Sequence, residues 1–144
     1  EVQFGYRHFP LPFHKEAQGL AQAVECARDQ DKFWELQSLF YKNISNSAND
    51  KEVLGMAKRA GIDNIRDFEF CWRNGKYAER VKNDIRDGID LGIQGTPTFI
   101  LGVYDQETQT VSGEMFSGAV SEEKFVQVIE KYLSSIRTEA NLSR

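Results

Sequence analysis

The chain has 144 residues, of which 40% are hydrophobic and 28% are charged. This composition is typical of one globular domain and excludes a disordered, fibrous or membrane-spanning chain. The net charge of -4 argues against a protein that coats nucleic acid or an anionic membrane.

The first predicted element is a strand. Apolar and aromatic side chains alternate with polar ones over Val2–Phe9, as in a strand with one buried face, and Pro10 stops the pattern. The first residue is Glu1 rather than Met, so we expect the N-terminus to result from processing, proteolysis or cloning.

Helical spacing of apolar residues then predicts five helices between residues 17 and 92, interrupted by a polar loop at Ser45–Asn49. Two of these helices are preceded by residues that suit an N-cap, which are Asn49 or Asp50 for the third and Asp63 or Asn64 for the fourth. In the fifth helix a spacing of four predicts the buried residues Tyr77, Val81, Ile85 and Ile89. The acidic residues Asp84, Asp87 and Asp90 of that helix are expected on its solvated face.

After residue 92 the pattern changes to that of a hairpin and a closing helix. Short apolar runs at Thr98–Leu101 and Thr110–Phe116 flank a turn-like segment at Asp105–Thr108. Ser121 is a suitable N-cap for an amphipathic final helix, and residues 138–144 are expected to fray. The order of elements predicts an α/β or α+β chain.

The segment Gly92–Phe99 is the most specific local signal. One interpretation is a plain helix-to-strand connection, in which Pro97 occupies the first position of a strand. The other is a cis Thr96–Pro97 peptide bond, which would leave the Thr96 backbone free to pair with an extended peptide.

Three segments together resemble the DsbA-like branch of the thioredoxin superfamily, and the resemblance covers nearly the whole chain. They are Tyr6–Leu11, the helix Ala17–Gln30 with Glu25-Cys26-Ala27, and Gly92–Phe99 with Gly-Thr-Pro-Thr-Phe. The resemblance implies a thioredoxin-like fold with a helical insertion domain, and thiol–disulfide exchange as its reaction. It also implies that Thr96 and Pro97 bind the substrate.

The resemblance divides the chain into an incomplete thioredoxin-like part, residues 1–10 and 93–137, an inserted helical domain, residues 11–92, and the tail 138–144. The family's catalytic Cys-x-x-Cys and its first strand would precede Val2–Phe9. We therefore expect an N-terminally truncated domain without a catalytic residue, inactive by itself. The gap in the sheet is expected to close by direct pairing of Val2–Phe9 with Thr98–Val103 or by strand exchange in a homodimer, the alternative being that the missing segment stays associated with the chain.

The cysteines, Cys26 and Cys71, lie inside helical patterns, far from a helix N-terminus, where a reactive thiolate is favoured. They are either two free buried thiols or a structural disulfide, as family members have at similar places. A bond would stabilise the fold by about 4 kcal/mol.

The resemblance implies a protein that oxidises or isomerises disulfides in exported proteins, in the periplasm or cell envelope. Its expected partners are unfolded or cysteine-containing proteins and a redox partner protein. No cofactor or nucleic acid is expected. No metal is expected either, since His8 and His14 have no partner at ligand spacing.

Two other functions stay open. A non-catalytic peptide-binding or chaperone module would keep the proline loop and never have had the cysteine pair. A relative of the kappa-class glutathione transferases would share the helical insertion, but nothing in the sequence is specific for a glutathione site.

Overall fold

The structure is a computed structural model that describes residues 2–43 and 49–142, with side chains as far as residue 138. Glu1 and all but Asn49 of the predicted loop Ser45–Asn49 lie outside the described residues. The chain divides into two compact units, Glu1–Gly92 and Ile93–Arg144, which are described separately. No helix in this described part of the chain has both the length and the apolar character needed to cross a membrane.

The first unit contains the five predicted helices, which the structure confirms. They are α1 (Ala17–Arg28), α2 (Phe33–Asn43), α3 (Asp50–Arg59), α4 (Ile65–Arg73) and α5 (Ala78–Asp90). Asn49 caps α3, since its side chain accepts from the Glu52 N–H while the Glu52 carboxylate accepts from the Asn49 N–H. Asn64 caps α4 in a similar way, through a bond from the Asp67 N–H.

Helix α1 lies at the centre of this unit and contacts the other four helices. Its small residues Ala23 and Ala27 are fully buried, which lets neighbouring helices pack close to its backbone. Trp72 of α4 contacts α1 at another small residue, Gly19. Its indole N–H donates to the Gly19 carbonyl at 2.9 Å. The remaining core is apolar and comes mainly from α2, α3 and α4: Phe33, Leu36, Phe40, Val53, Met56, Ala57 and Phe68.

The predicted strand at Val2–Phe9 is wrong. The segment is irregular, and the described residues form one sheet, which contains only the two strands of the hairpin. The direct pairing expected with Thr98–Val103 is therefore also wrong. The alternation of side chains is partly retained, with His8 buried between the exposed Arg7 and the half-buried Phe9, but helices rather than a strand provide the partners of this segment.

The second unit is a hairpin covered on one face by a helix. Strands β1 (Thr98–Asp105) and β2 (Thr110–Ser117) are antiparallel, and the predicted hairpin is confirmed. Gly102 faces Gly113 across the ladder, where an added Cβ at either position would collide with the opposite backbone. The Phe125 ring of the final helix packs edge-on against the rings of Phe99 and Phe116.

The final helix, α6, runs from Glu122 to Leu142, so the fraying expected from residue 138 is wrong as far as Leu142. The residues Glu139, Ala140 and Leu142 are good helix formers, which favours continuation of the helix. Residues 143 and 144 lie outside the described part.

Candidate functional site

The loop that precedes β1 is clamped to the end of β2. The N–H of Gly118 donates to the carbonyl of Pro97 at 2.7 Å. The Thr98 hydroxyl donates to the carbonyl of Gly95 at 2.7 Å and lies 2.9 Å from the Ser117 hydroxyl. Both ends of the hairpin thus hold the loop in one conformation.

Within this loop, Thr96 and Pro97 are exposed, and the peptide bond between them is cis. Neither backbone group of Thr96 makes a hydrogen bond within the described residues. An exposed backbone N–H and C=O beside the first residue of a strand can pair with an added extended chain.

The edge of β1 that does not face β2 has no strand partner in the described part of the chain. Unpaired strand edges present a row of donors and acceptors to other chains. Thr96 therefore lies two residues before the start of an open strand edge. The arrangement can hold an extended peptide by main-chain hydrogen bonds.

Cys26 of α1 and Cys71 of α4 form a disulfide, and their Cα atoms are 5.9 Å apart. Both residues are buried, with 1% and 7% of their surface exposed. A thiolate that attacks a disulfide needs access to one of its sulfur atoms, so this buried bond serves as a link between two helices.

A buried charged cluster, which the sequence did not suggest, holds the segment before α1. The Nε2 atom of His8 lies 2.9 Å from Oε1 of Glu25, and only 3% and 1% of the two side chains are exposed. Glu25 is also paired with Arg28 at 2.9 Å and with Arg80 at 3.0 Å. One buried carboxylate is therefore contacted by nitrogen atoms of three residues.

The two buried members of this cluster titrate below their ordinary ranges. Burial disfavours the imidazolium and lowers the pKa of His8, although the hydrogen bond with Glu25 opposes this effect. Burial alone would raise the pKa of Glu25, but hydrogen bonds from Arg28 and His8 outweigh it and lower this pKa. At neutral pH the pair is therefore a neutral imidazole beside a carboxylate.

Two predictions for α5 are wrong. Asp84 is buried rather than solvated, because it accepts from the guanidinium of Arg7 and from the N–H of His8. Ile89 is 61% exposed. Val81 is buried as predicted, and Asp84 and Gly88 complete the inward face. Their spacing of three and four residues is visible in the sequence, but the set combines a carboxylate with a glycine.

His14 and Trp34 are not members of this cluster. His14 is exposed, and no group of three metal-ligating side chains occurs within the described residues. Trp34 is half-exposed and lines a shallow groove of about 330 Å³ with Phe4, Tyr6 and Tyr41.

Comparison with known proteins gives relatives of two kinds. A sequence profile of the family described as Thioredoxin matches residues 1–131. The chain is also similar to part of Na(+)/H(+) antiporter NhaA 1 of Salinispora arenicola, with 35% identity over 102 residues. NhaA 3 of Salinispora tropica is 33% identical over 102 residues, and NhaA of Herminiimonas arsenicoxydans is 27% identical over 116 residues.

These matches cover 69% of the chain for both Salinispora antiporters and 76% for the Herminiimonas protein. They cover only 15% of each Salinispora antiporter and 18% of the Herminiimonas one. The chain thus spans less than one fifth of the length of these relatives. Because the Thioredoxin profile extends over residues 1–131 of the 144, the chain belongs to the thioredoxin family.

Proposed function

We propose that this chain is the substrate-holding part of a DsbA-like thiol–disulfide oxidoreductase that acts on exported proteins. The observation that carries the proposal is the free backbone of Thr96, exposed at the start of an open strand edge. An extended, unfolded substrate offers complementary backbone groups, and main-chain pairing is independent of its sequence. This suits an enzyme that accepts many cysteine-containing proteins.

The 144 residues supply the binding half of the reaction. Their two cysteines are joined in a buried bond, and neither belongs to a Cys-x-x-Cys motif. Disulfide exchange needs an accessible thiolate and a second thiol that resolves the mixed disulfide. The catalytic pair therefore comes from outside these residues, and a redox partner protein restores its oxidation state.

An oxidising, extracytoplasmic location agrees with the structural disulfide, because such bonds persist there and are rare in the cytosol. The antiporter relatives favour a second candidate, in which the chain is a thioredoxin-like module of a membrane transporter. In that case the module binds an extended segment without redox chemistry. In both candidates the loop at Thr96 and Pro97, which we call the binding loop, holds the extended segment. A reaction assay distinguishes the two candidates.

The binding step is tested with a fluorescent, extended peptide derived from an unfolded cysteine-containing protein. We expect N-methylation of the one peptide nitrogen that pairs with Thr96 to weaken binding by about tenfold, the equivalent of one hydrogen bond. Methylation of the next nitrogen, which points away in an antiparallel ladder, is the matched control and leaves affinity unchanged. Equal effects at every position would contradict main-chain pairing at this loop.

The reaction step is tested by oxidation of a dithiol peptide. The 144 residues are expected to give no turnover, whereas the natural protein that carries the catalytic pair turns the peptide over. Turnover by the 144 residues would contradict the assignment of the catalytic cysteines. Binding without turnover by the natural protein would favour the transporter module.

A further inference from the structure

The residues 6–9, which we call the latch segment, are attached to the helical unit by side chains rather than by a backbone ladder. The guanidinium of Arg7 donates to Asp84 at 2.5 Å and also to Asp87. The N–H of His8 donates to Asp84 at 2.9 Å. The attachment of this segment therefore depends on the charge of titratable side chains.

His8 is the residue of the latch segment whose ordinary titration range lies near neutral pH, and burial lowers its pKa in the docked segment. Its imidazole is enclosed by the segment itself and by three helices. The groups that face it are Tyr6 from its own segment, Glu25 and Arg28 from α1, Phe33 from α2, and Arg80 and Asp84 from α5.

A proton on His8 would add a cation to a site that is already neutralised. The Glu25 carboxylate is paired with both Arg28 and Arg80, and the Asp84 carboxylate is paired with Arg7. The aromatic rings of Tyr6 and Phe33 provide no counter-charge. The imidazolium would have to remain buried with 3% of its side chain exposed. When the latch segment leaves this site, the imidazolium of His8 is exposed to water. Acidification therefore favours release of the segment.

We propose that the His8–Glu25 pair is an acid-sensitive latch, which holds residues 6–9 on α1 and α5 and releases them when the imidazole is protonated. The neutral imidazole stabilises the docked state, so docking is complete above the ordinary His titration range and weakens as the pH falls through it. The Cys26–Cys71 bond and the apolar core do not titrate in this range, so the helices stay folded during release. This latch is independent of the proposed redox role.

The His8 amide is a direct reporter, because its N–H is held by Asp84 only while the segment is docked. Hydrogen exchange followed by NMR on the whole chain gives its protection factor at about pH 7.5 and about pH 5. We expect a lower protection factor at about pH 5, by up to about 30-fold, because that pH lies about 1.5 pH units below the ordinary pKa of histidine. The amides of Val24 and Leu36, in the helical core, are expected to stay protected.

A His8→Gln variant keeps a side chain that can donate to Glu25 but does not titrate, and we expect its residue-8 amide to show no acid-dependent loss. The matched control is His14→Gln, which changes the exposed histidine and retains the wild-type response. In the wild-type chain, the protection of the His8 amide should begin to fall in the ordinary His range and level off below the midpoint of the His8 ring signal.

Three results would overturn the latch. They are an unchanged protection factor at both pH values, a loss that Val24 and Leu36 share, and a loss of amide protection that continues well below the midpoint of the His8 ring signal. Retention of the acid response in His8→Gln would also assign the effect to another group. The midpoint comparison uses the wild-type chain, so it holds even if the variant fails to fold.

Discussion

The ring of Phe9 lies on the bare backbone of Gly88 in the last turn of α5. A Cβ atom at position 88 would lie 2.6 Å from two carbons of that ring, so Gly88→Ala must displace Phe9 or bend the helix. We expect this variant to lose about 1–3 kcal/mol of unfolding free energy, although alanine by itself favours a helix by about 1 kcal/mol. Urea denaturation measures the difference.

Gly55 provides the matched control for that substitution. It lies in α3, where an added Cβ would meet no described atom within 4 Å beyond its chain neighbours and the local helix backbone, so Gly55→Ala is expected to stabilise the chain by about 0.5–1 kcal/mol. Equal effects of the two substitutions would show that Phe9 does not pack on Gly88.

Reduction of the Cys26–Cys71 bond is expected to destabilise the chain strongly. The bond links residues separated by 45 positions, and opening a loop of that length costs about 4 kcal/mol in the chain-entropy model. The denaturation midpoint should fall when a reductant is added. A double variant, Cys26→Ala with Cys71→Ala, should be less stable and indifferent to the reductant, whereas a midpoint unaffected by reduction of the wild-type bond would contradict the prediction.

Glu25→Gln removes the charge of the buried carboxylate and tests its contribution to the stability of the chain. Hydrogen bonds from charged groups to Glu25 are worth about 1.5–3 kcal/mol, and we expect the variant to lose about that much stability at neutral pH. The pKa of Glu25 is lower in the folded chain than its ordinary 4.5. The folded state therefore binds fewer protons, and wild-type stability falls as the pH drops through that range.

The acid part of this prediction is a difference between two pH profiles of unfolding free energy. The Glu25→Gln profile should lack part of the fall below about pH 4.5 that the wild-type chain shows. Glu79→Gln, at an exposed position of α5, should reproduce the wild-type profile within about 0.5 kcal/mol. Identical profiles for all three chains would exclude Glu25 as a source of the acid sensitivity.

Thr98→Val removes the hydroxyl that ties the binding loop together while it keeps the shape of the side chain. Loss of the bond to the Gly95 carbonyl is expected to cost about 1 kcal/mol of stability and to weaken binding of the fluorescent peptide. Thr98→Ser restores the hydroxyl and should recover both properties. Wild-type affinity in the valine variant would show that this bond does not position Thr96.

The elements with local signals were predictable from the sequence. The capping residues Asn49 and Asn64 and the hairpin had their own turn or cap chemistry, and the structure has each of them. The family resemblance pointed to Thr96 and Pro97. Short-range patterns of this kind need no knowledge of the tertiary partners.

The strand at Val2–Phe9 was mispredicted because alternation reports only which side chains are buried. It does not report whether a strand or a helix covers them. The burial of Asp84 was missed for a related reason, since a carboxylate on a helix is solvated unless a distant cation such as Arg7 reaches it. That partner lies 77 residues away in the sequence and is visible only in the fold.

The most direct test of the account is to locate the peptide on the chain. An isotope-labelled chain is titrated with the extended cysteine-containing peptide, and shifted amides and intermolecular NOEs are assigned. We predict that the Thr96 amide shifts, with NOEs between its backbone and that of the peptide, and that neighbouring changes are limited to Thr98 and Gly118. Shifts confined to the aromatic groove at Phe4 and Trp34, with Thr96 unchanged, would contradict the claim that this loop holds the substrate.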